Sequence, residues 1–265
     1  MKLITMKKLS KYIVMDLGNT FIKIVNYKVD LRTNEIKQGK AKIIDYLAFT
    51  EELAKILKDL EDTRILVAAT NADEDLCKTI IFAMASKLDF MSNDLVYLND
   101  EKKVIIKRMS HLIDKNIKHK GSIGFDILSA LLINSIKYKK DSINLLGTYW
   151  VNLKMENLIL KSVSIARILD FFDMPFVAPG IIESELRVPE TKVGTTTKTA
   201  MLNGLSALLS GYVSSFDKPE NSIISGGWSR YFDKSLFTIE KFIVPEGYLH
   251  MYLQFLQEVE DQERK

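Results

Sequence analysis

An aspartate caught between two apolar runs constrains this chain more than any other feature. Tyr12-Ile13-Val14-Met15 leads into Asp16, Leu17-Gly18-Asn19-Thr20 follows, and Ile22-Lys23-Ile24-Val25 leads away. The pattern predicts two strands joined by a tight turn that carries a carboxylate, a glycine, an amide and a hydroxyl. Gly18 lets the backbone come close to a ligand, and Asn19 and Thr20 offer hydrogen-bond donors. Such a turn suits the terminal phosphates of a nucleotide, with Asp16 holding a hydrated Mg²⁺. An ordinary hairpin uses the same residue types, because Asn and Gly are common in turns.

The bulk properties narrow the field. A chain of 265 residues can bury a real core, as one large domain or two moderate ones. Hydrophobic residues at 47% and charged residues at 27% fit a globular protein. The net charge is only +3, with lysines scattered among acids, so no nucleic-acid groove is expected. The single Cys77 excludes an internal disulfide framework and a cysteine-rich zinc site. His111, His119 and His250 lack ligand-like spacing. No apolar run is long enough to span a membrane, and Asp16 interrupts the first one before it can serve as a signal peptide. A cytoplasmic protein is expected.

Periodicity predicts strands at 11–17, 21–29 and 41–45, with a polar turn near Asn34 and Gly39. A helix capped by Thr50 follows, with Leu53, Ile56, Leu57 and Leu60 on one face. Arg64–Ala69 reads as a buried strand, and a helix from Asn71 carries Leu76, Ile80, Ile81, Met84 and Leu88. Leu95–Leu98 and Val104–Ile106 are weaker strand candidates. Gly124-Phe125-Asp126 opens an apolar helix to about Tyr138. The second half restarts with a strand at Ser142–Leu146, a Gly147-Thr148 turn and two strands within Trp150–Leu160. A helix holding Ile165, Ile168 and Leu169, a long one at 197–214, a strand at Ser222–Ser225 ending in Gly226-Gly227, and a final helix at 247–259 complete the order.

Each half thus begins with an apolar strand and a glycine turn followed by Thr. Two such phosphate hairpins, with a glycine pair under the adenosine, describe the actin- and hexokinase-like ATPases. The expected fold is α/β: two similar actin/ribonuclease-H-like subdomains, each a mixed sheet flanked by helices, with a nucleotide cleft between them. Residues 1–125 would hold the first phosphate loop. Residues 126–265 would hold the second loop and the adenosine site.

In order and spacing the motifs resemble type III pantothenate kinases, over most of the chain from Asp16 to about Leu253. Asp16-Leu17-Gly18-Asn19-Thr20 with Lys23 matches that family's first phosphate motif. Gly124-Phe125-Asp126 matches its Gly-x-Asp-Arg motif, with Ile127 in place of arginine. Ala178-Pro179-Gly180 matches a Pro-Gly turn, Val193–Met201 an Ile-Gly-x-x-Thr-x-x-Ala-Met signature, and Ser225-Gly226-Gly227 a Thr-Gly-Gly. The second phosphate motif departs: Leu145 stands where the family has a cation-holding aspartate, and Tyr149 and Trp150 replace small or hydroxylated residues. A slipped alignment using Asn144 or Asn152 is an alternative.

The resemblance implies ATP-dependent phosphorylation of pantothenate, the first step of coenzyme A synthesis, by a homodimer using ATP and Mg²⁺. Asp126 would be the base, and Asp16 would hold Mg²⁺ through water. Gly18, Asn19, Thr20, Lys23, Gly147 and Thr148 would contact phosphate. Gly226 and Gly227 would contact adenosine, and Gly124, Phe125 and Thr197 the substrate. Leu145 puts the family's potassium or ammonium requirement in question. Read without the family, Asp126 and Thr197 can each serve as helix-end residues, Lys23 can face out of its strand, and Gly226-Gly227 can be a strand-to-helix turn. A catalytically impaired nucleotide-binding homologue with a regulatory or interaction role is the alternative function, motivated by Ile127 and Leu145. A filament-forming ATPase is a third class, against which the Val193–Met201 signature argues.

Overall fold

The computed structural model describes residues 9–56, 63–70, 74–87, 95–118, 120–167, 209–215 and 217–256. They contain two five-stranded sheets of identical plan. In the first, β1 (Leu9–Leu17) is central. It pairs antiparallel with β2 (Phe21–Asp30), which pairs with β3 (Glu35–Asp45), and parallel with β4 (Thr63–Ala69), which pairs with β5 (Leu95–Tyr97). In the second, β6 (Ser142–Leu146) is central. It pairs antiparallel with β7 (Tyr149–Glu156), which pairs with β8 (Ile159–Arg167), and parallel with β9 (Ser222–Gly226), which pairs with β10 (Thr238–Ile239). The hint of duplication in the two glycine turns is therefore a repeated topology. The expected fold of two mixed, helix-flanked sheets of the actin/ribonuclease-H-like kind is the one observed.

The helices are α1 (Phe49–Ile56), α2 (Glu74–Lys87), α3 (Lys102–Arg108), α4 (Phe125–Ile133) and α5 (Ile243–Met251), together with helical residues 209–215. The described residues of Met1–Ser110, His119–Ile133 and Val244–Lys265 form one compact unit, and those of His111–Lys118 and Asn134–Ile243 form the other. Thus α4 and nearly all of α5 pack with the first sheet, whereas the sequence division after residue 125 assigns both to the second subdomain.

Alternation along β1 decides what each face of the first sheet buries. Ile13, Met15 and Leu17 lie in a cluster with Phe49 of α1 and with Cys77, Ile80 and Met84 of α2. Tyr12, Val14 and Asp16 therefore point to the opposite face. There Tyr12 meets Tyr252, just beyond α5, at 6.1 Å between ring centroids. Burying each large apolar side chain contributes about 1.5–3 kcal/mol, so this two-sided packing is what accommodates one costly carboxylate. In the second unit Leu146, Trp150 and Ile224 pack with Leu209, Val213, Tyr231, Phe232 and Phe237.

Local departures have physical causes. Lys102–Arg108 is helical, so Val104–Ile106 is not a strand; a 3₁₀ turn at Leu98–Glu101 leads directly into α3. Ile165 belongs to β8, paired with Val151, and not to a helix; Ile168 and Leu169 lie outside the described residues. β3 runs back to Glu35 because β2 offers it an antiparallel partner as far as Asp30, with a register shift between Val25 and Tyr27. The turn before it has Asn34 at φ 56°, a conformation that Asn tolerates. The first helix starts at Phe49, with the Ala48 N–H bonded to Asp45 Oδ1, so Thr50 is inside the helix and is not its cap. β10 was absent from the sequence reading. The final helix begins at Ile243, and both α4 and α5 continue into short π turns, at Asn134–Tyr138 and Tyr252–Leu256. No helix among the described residues is long and apolar enough to cross a membrane.

Candidate active site

The first hairpin closes at the Leu17–Ile22 pair, and Gly18, Asn19 and Thr20 form its turn. The Gly18 N–H donates to the Phe21 carbonyl at 3.1 Å, and the Tyr46 hydroxyl donates to the Gly18 carbonyl. Asn19 and Thr20 are exposed at the tip. Just behind it, Asp16 and Lys23 face each other across the ladder. The Lys23 Nζ donates to Asp16 Oδ2 at 2.7 Å, so Lys23 is not an outward-facing strand lysine. Asp16 is only 1% exposed, and its burial is tolerated because the ammonium sits beside it. The end of β4 is tied in as well. The Thr70 N–H bonds the Leu17 carbonyl, and the Asn99 amide bonds both the N–H and the C=O of Ala69.

A second donor reaches Asp16 from a distant part of the chain. The Tyr248 hydroxyl on α5 donates to Asp16 Oδ1 at 3.2 Å. Tyr248 is completely buried, in edge contact with Phe125 at 6.3 Å. Burial, and then the charges of Asp16 and Asp126, push its phenol well above the usual tyrosine value, so it stays a donor. Gly247, the preceding residue, lies against α4: a Cβ there would stand 2.4 Å from Ser129 Cβ and 2.5 Å from the Ser129 carbonyl oxygen.

Asp126 occupies the first turn of α4 and is partly buried. Its Oδ1 accepts the Ile127 N–H at 2.9 Å, which satisfies one of the free amides at this helix end. That bond is the helix-end role that the sequence also allows for Asp126. Burial, and next the negative charge of Asp16, raise its carboxyl above the ordinary range, opposed by the Ile127 amide and by Lys23. Gly124 keeps the space in front of it clear, since a Cβ there would meet Asp126 Oδ1 at 2.4 Å. One unit thus gathers two carboxylates, an ammonium and a phenol, with the proton affinity of Asp126 raised. That arrangement suits a base poised beside a fixed anion.

The second unit treats its hairpin differently. The Gly147 N–H donates to the Tyr149 carbonyl at 3.0 Å, and Thr148 is half-buried. Leu145, two residues before the glycine as Asp16 is, is buried and faces Val151. Asn144 and Asn152 pair with each other on the opposite face. Asn144 Oδ1 accepts from Trp150 Nε1 and from Asn152 Nδ2, each at 3.0 Å, so both side chains belong to a buried polar group. At the end of β9, Gly226 has φ 97° and lies so close to β6 that a Cβ would be 2.2 Å from the Leu146 carbonyl oxygen; Gly227 opens a 3₁₀ turn. The glycine pair therefore forms a strand-to-helix turn. Thr197, the Val193–Met201 signature and Ala178-Pro179-Gly180 lie outside the described residues.

Tyr248 and Gly247 were missed as site residues in the sequence, which marked Gly247 only as a helix start. The available signal was a glycine-tyrosine step within the helix, and nothing in it pointed to Asp16.

No protein-family model matches the chain, and no curated protein matches it. Among solved structures, one from Campylobacter jejuni, assigned to the Baf family of transcriptional activators, shares 14% identity and a TM-score of 0.48, covering 91% of this chain and 98% of its own. A Sinorhizobium meliloti protein assigned as a 2-dehydro-3-deoxygalactonokinase shares 9% identity, with a TM-score of 0.48 and coverage of 93% and 99%. Component A of (R)-2-hydroxyglutaryl-CoA dehydratase from Acidaminococcus fermentans shares 10%, with a TM-score of 0.47 and coverage of 91% and 99%. At these values the likenesses carry no argument about activity.

Proposed function

We propose that this protein is an ATP-dependent phosphotransferase acting on the primary hydroxyl of pantothenate, and that it works as a cytoplasmic homodimer. The observation that carries the reading is Asp126, a carboxylate of raised proton affinity held in one cluster with Asp16, Lys23 and Tyr248. Phosphoryl transfer to an alcohol needs an acceptor for the hydroxyl proton and fixed charges around the phosphates, and little else from the protein. Asp126 takes the proton as the hydroxyl oxygen bonds to the γ-phosphorus; the bond from that phosphorus to the bridging oxygen breaks, and ADP leaves.

The Asp16 carboxylate fits a hydrated magnesium ion. Lys23 and Tyr248 engage one oxygen each, and a carboxylate has further lone pairs for a metal-bound water. Such an ion supplies charge neutralisation at the phosphates. Gly18, Asn19, Thr20 and Lys23 serve the phosphates in this reading, as do Gly147 and Thr148. Gly226 and Gly227 serve the adenosine, and Gly124, Phe125 and Thr197 serve the acceptor.

A second reading, a nucleotide-binding homologue without transfer, is favoured by two buried apolar residues. Ile127, 8% exposed, and Leu145, 7% exposed, are core side chains where the resembled family has an arginine and an aspartate. ADP release from Mg·ATP with and without pantothenate, in potassium and in sodium, separates the two. Pantothenate-dependent turnover supports the kinase, and indifference to potassium would follow from Leu145. ATP binding without turnover moves the assignment to the second reading.

A further inference from the structure

We propose that Tyr248 is the positioning residue for Asp16, fixing the carboxylate through Oδ1 while Lys23 fixes it through Oδ2. The inference rests on the phosphotransferase reading of the first hairpin and deepens it. A carboxylate held at one oxygen can still turn about its Cβ–Cγ bond, and a second donor on the other oxygen sets its plane. Lys23 reaches Asp16 from the neighbouring strand, whereas Tyr248 comes from a helix 232 residues further along the chain. The phenol is itself immobilised, being fully buried and packed edge-on against Phe125. Gly247 brings the α5 backbone against Ser129, one turn beyond Asp126 on α4. One helix therefore determines the plane of Asp16 and also backs the element that carries Asp126. The remaining lone pairs of Asp16 are then held in fixed directions, as a carboxylate working through a metal-bound water requires.

Tyr248→Phe tests this, because it keeps the ring and removes only the hydroxyl. On the full-length protein, calorimetry gives the affinity for ATP with Mg²⁺ and for ATP in EDTA, and steady-state assays give kcat and KM for pantothenate. The expected result is a loss of about 10-fold to 100-fold in Mg²⁺-dependent ATP affinity or in kcat. Affinity for ATP in EDTA and KM for pantothenate should be unchanged. Tyr252→Phe, a buried tyrosine just beyond the same helix, should behave as the parent. Parental values in Tyr248→Phe overturn the inference. So do equal losses with and without Mg²⁺, or the same loss in Tyr252→Phe, since either marks general damage to the helix. A parent that binds Mg·ATP but does not phosphorylate pantothenate removes the acceptor assignment alone, and the Mg²⁺ comparison still decides Tyr248. A parent that binds no Mg·ATP removes both.

Discussion

The two hairpins share one backbone plan and bury opposite chemistry. In the first, the pair next to the last rung is Asp16 and Lys23; in the second it is Leu145 and Val151. Each glycine N–H that follows bonds back to an aromatic residue's carbonyl, on Phe21 and on Tyr149. Sheet topology is therefore indifferent to whether an ion pair or two aliphatic side chains occupy these places. The charged pair costs desolvation that the apolar pair avoids.

The sharpest way to break the comparison is at Asp126. Asp126→Asn should lower transfer by about 100-fold to 10,000-fold, the usual range for a lost general base, with ATP binding nearly intact. Calorimetry beside a turnover assay checks both. The same variant carries a stability signature. Folding raises the proton affinity of Asp126, so its contribution is complete below the ordinary carboxylate pKa and declines as pH rises through the raised folded value. Asn does not ionise, so Asp126→Asn should melt above the parent at neutral pH, and the gap should close in acid.

Leu145→Asp gives the second hairpin the first one's carboxylate without its lysine. An unpaired buried charge should cost roughly 3–5 kcal/mol in denaturant unfolding, and potassium should recover part of it if the cation returns with the aspartate. Gly226→Ala places a methyl group against the Leu146 carbonyl at φ 97°, and should destabilise the second unit by roughly 2–4 kcal/mol. The smallest stability effect is expected from making the first hairpin resemble the second. Asp16→Leu with Lys23→Val and Tyr248→Phe removes Asp16 together with both of its hydrogen-bond partners. It should leave stability within about 1 kcal/mol while abolishing Mg²⁺-dependent ATP binding. A large loss of stability in that triple variant would mean that the cluster is structural.

Much of the architecture was legible because strand signals are local. The apolar runs around Asp16 and Ser142–Leu146, and the glycine that ends each, placed both hairpins where the structure has them. The errors fell where a short apolar segment fits either period. Val104–Ile106 looks like a strand but lies in α3, and Ile165 suits a helix but is drawn into β8 by a free edge on β7. The division after residue 125 followed chain order, whereas α4 and α5 return to the first sheet to cover the face of β1 that carries Tyr12, Val14 and Asp16.

From the amino-acid order alone came the two repeated halves, the strands on either side of each glycine turn, and the turn residues. Those are short-range consequences of strand alternation and turn length. The tertiary structure alone decided that Tyr248 completes the Asp16 carboxylate, that Asp126 shares its electrostatic surroundings, and that Gly226 lies against the Leu146 carbonyl. Each of these depends on which helix or strand covers which face, and on how closely Gly247 and Gly226 let two backbones approach.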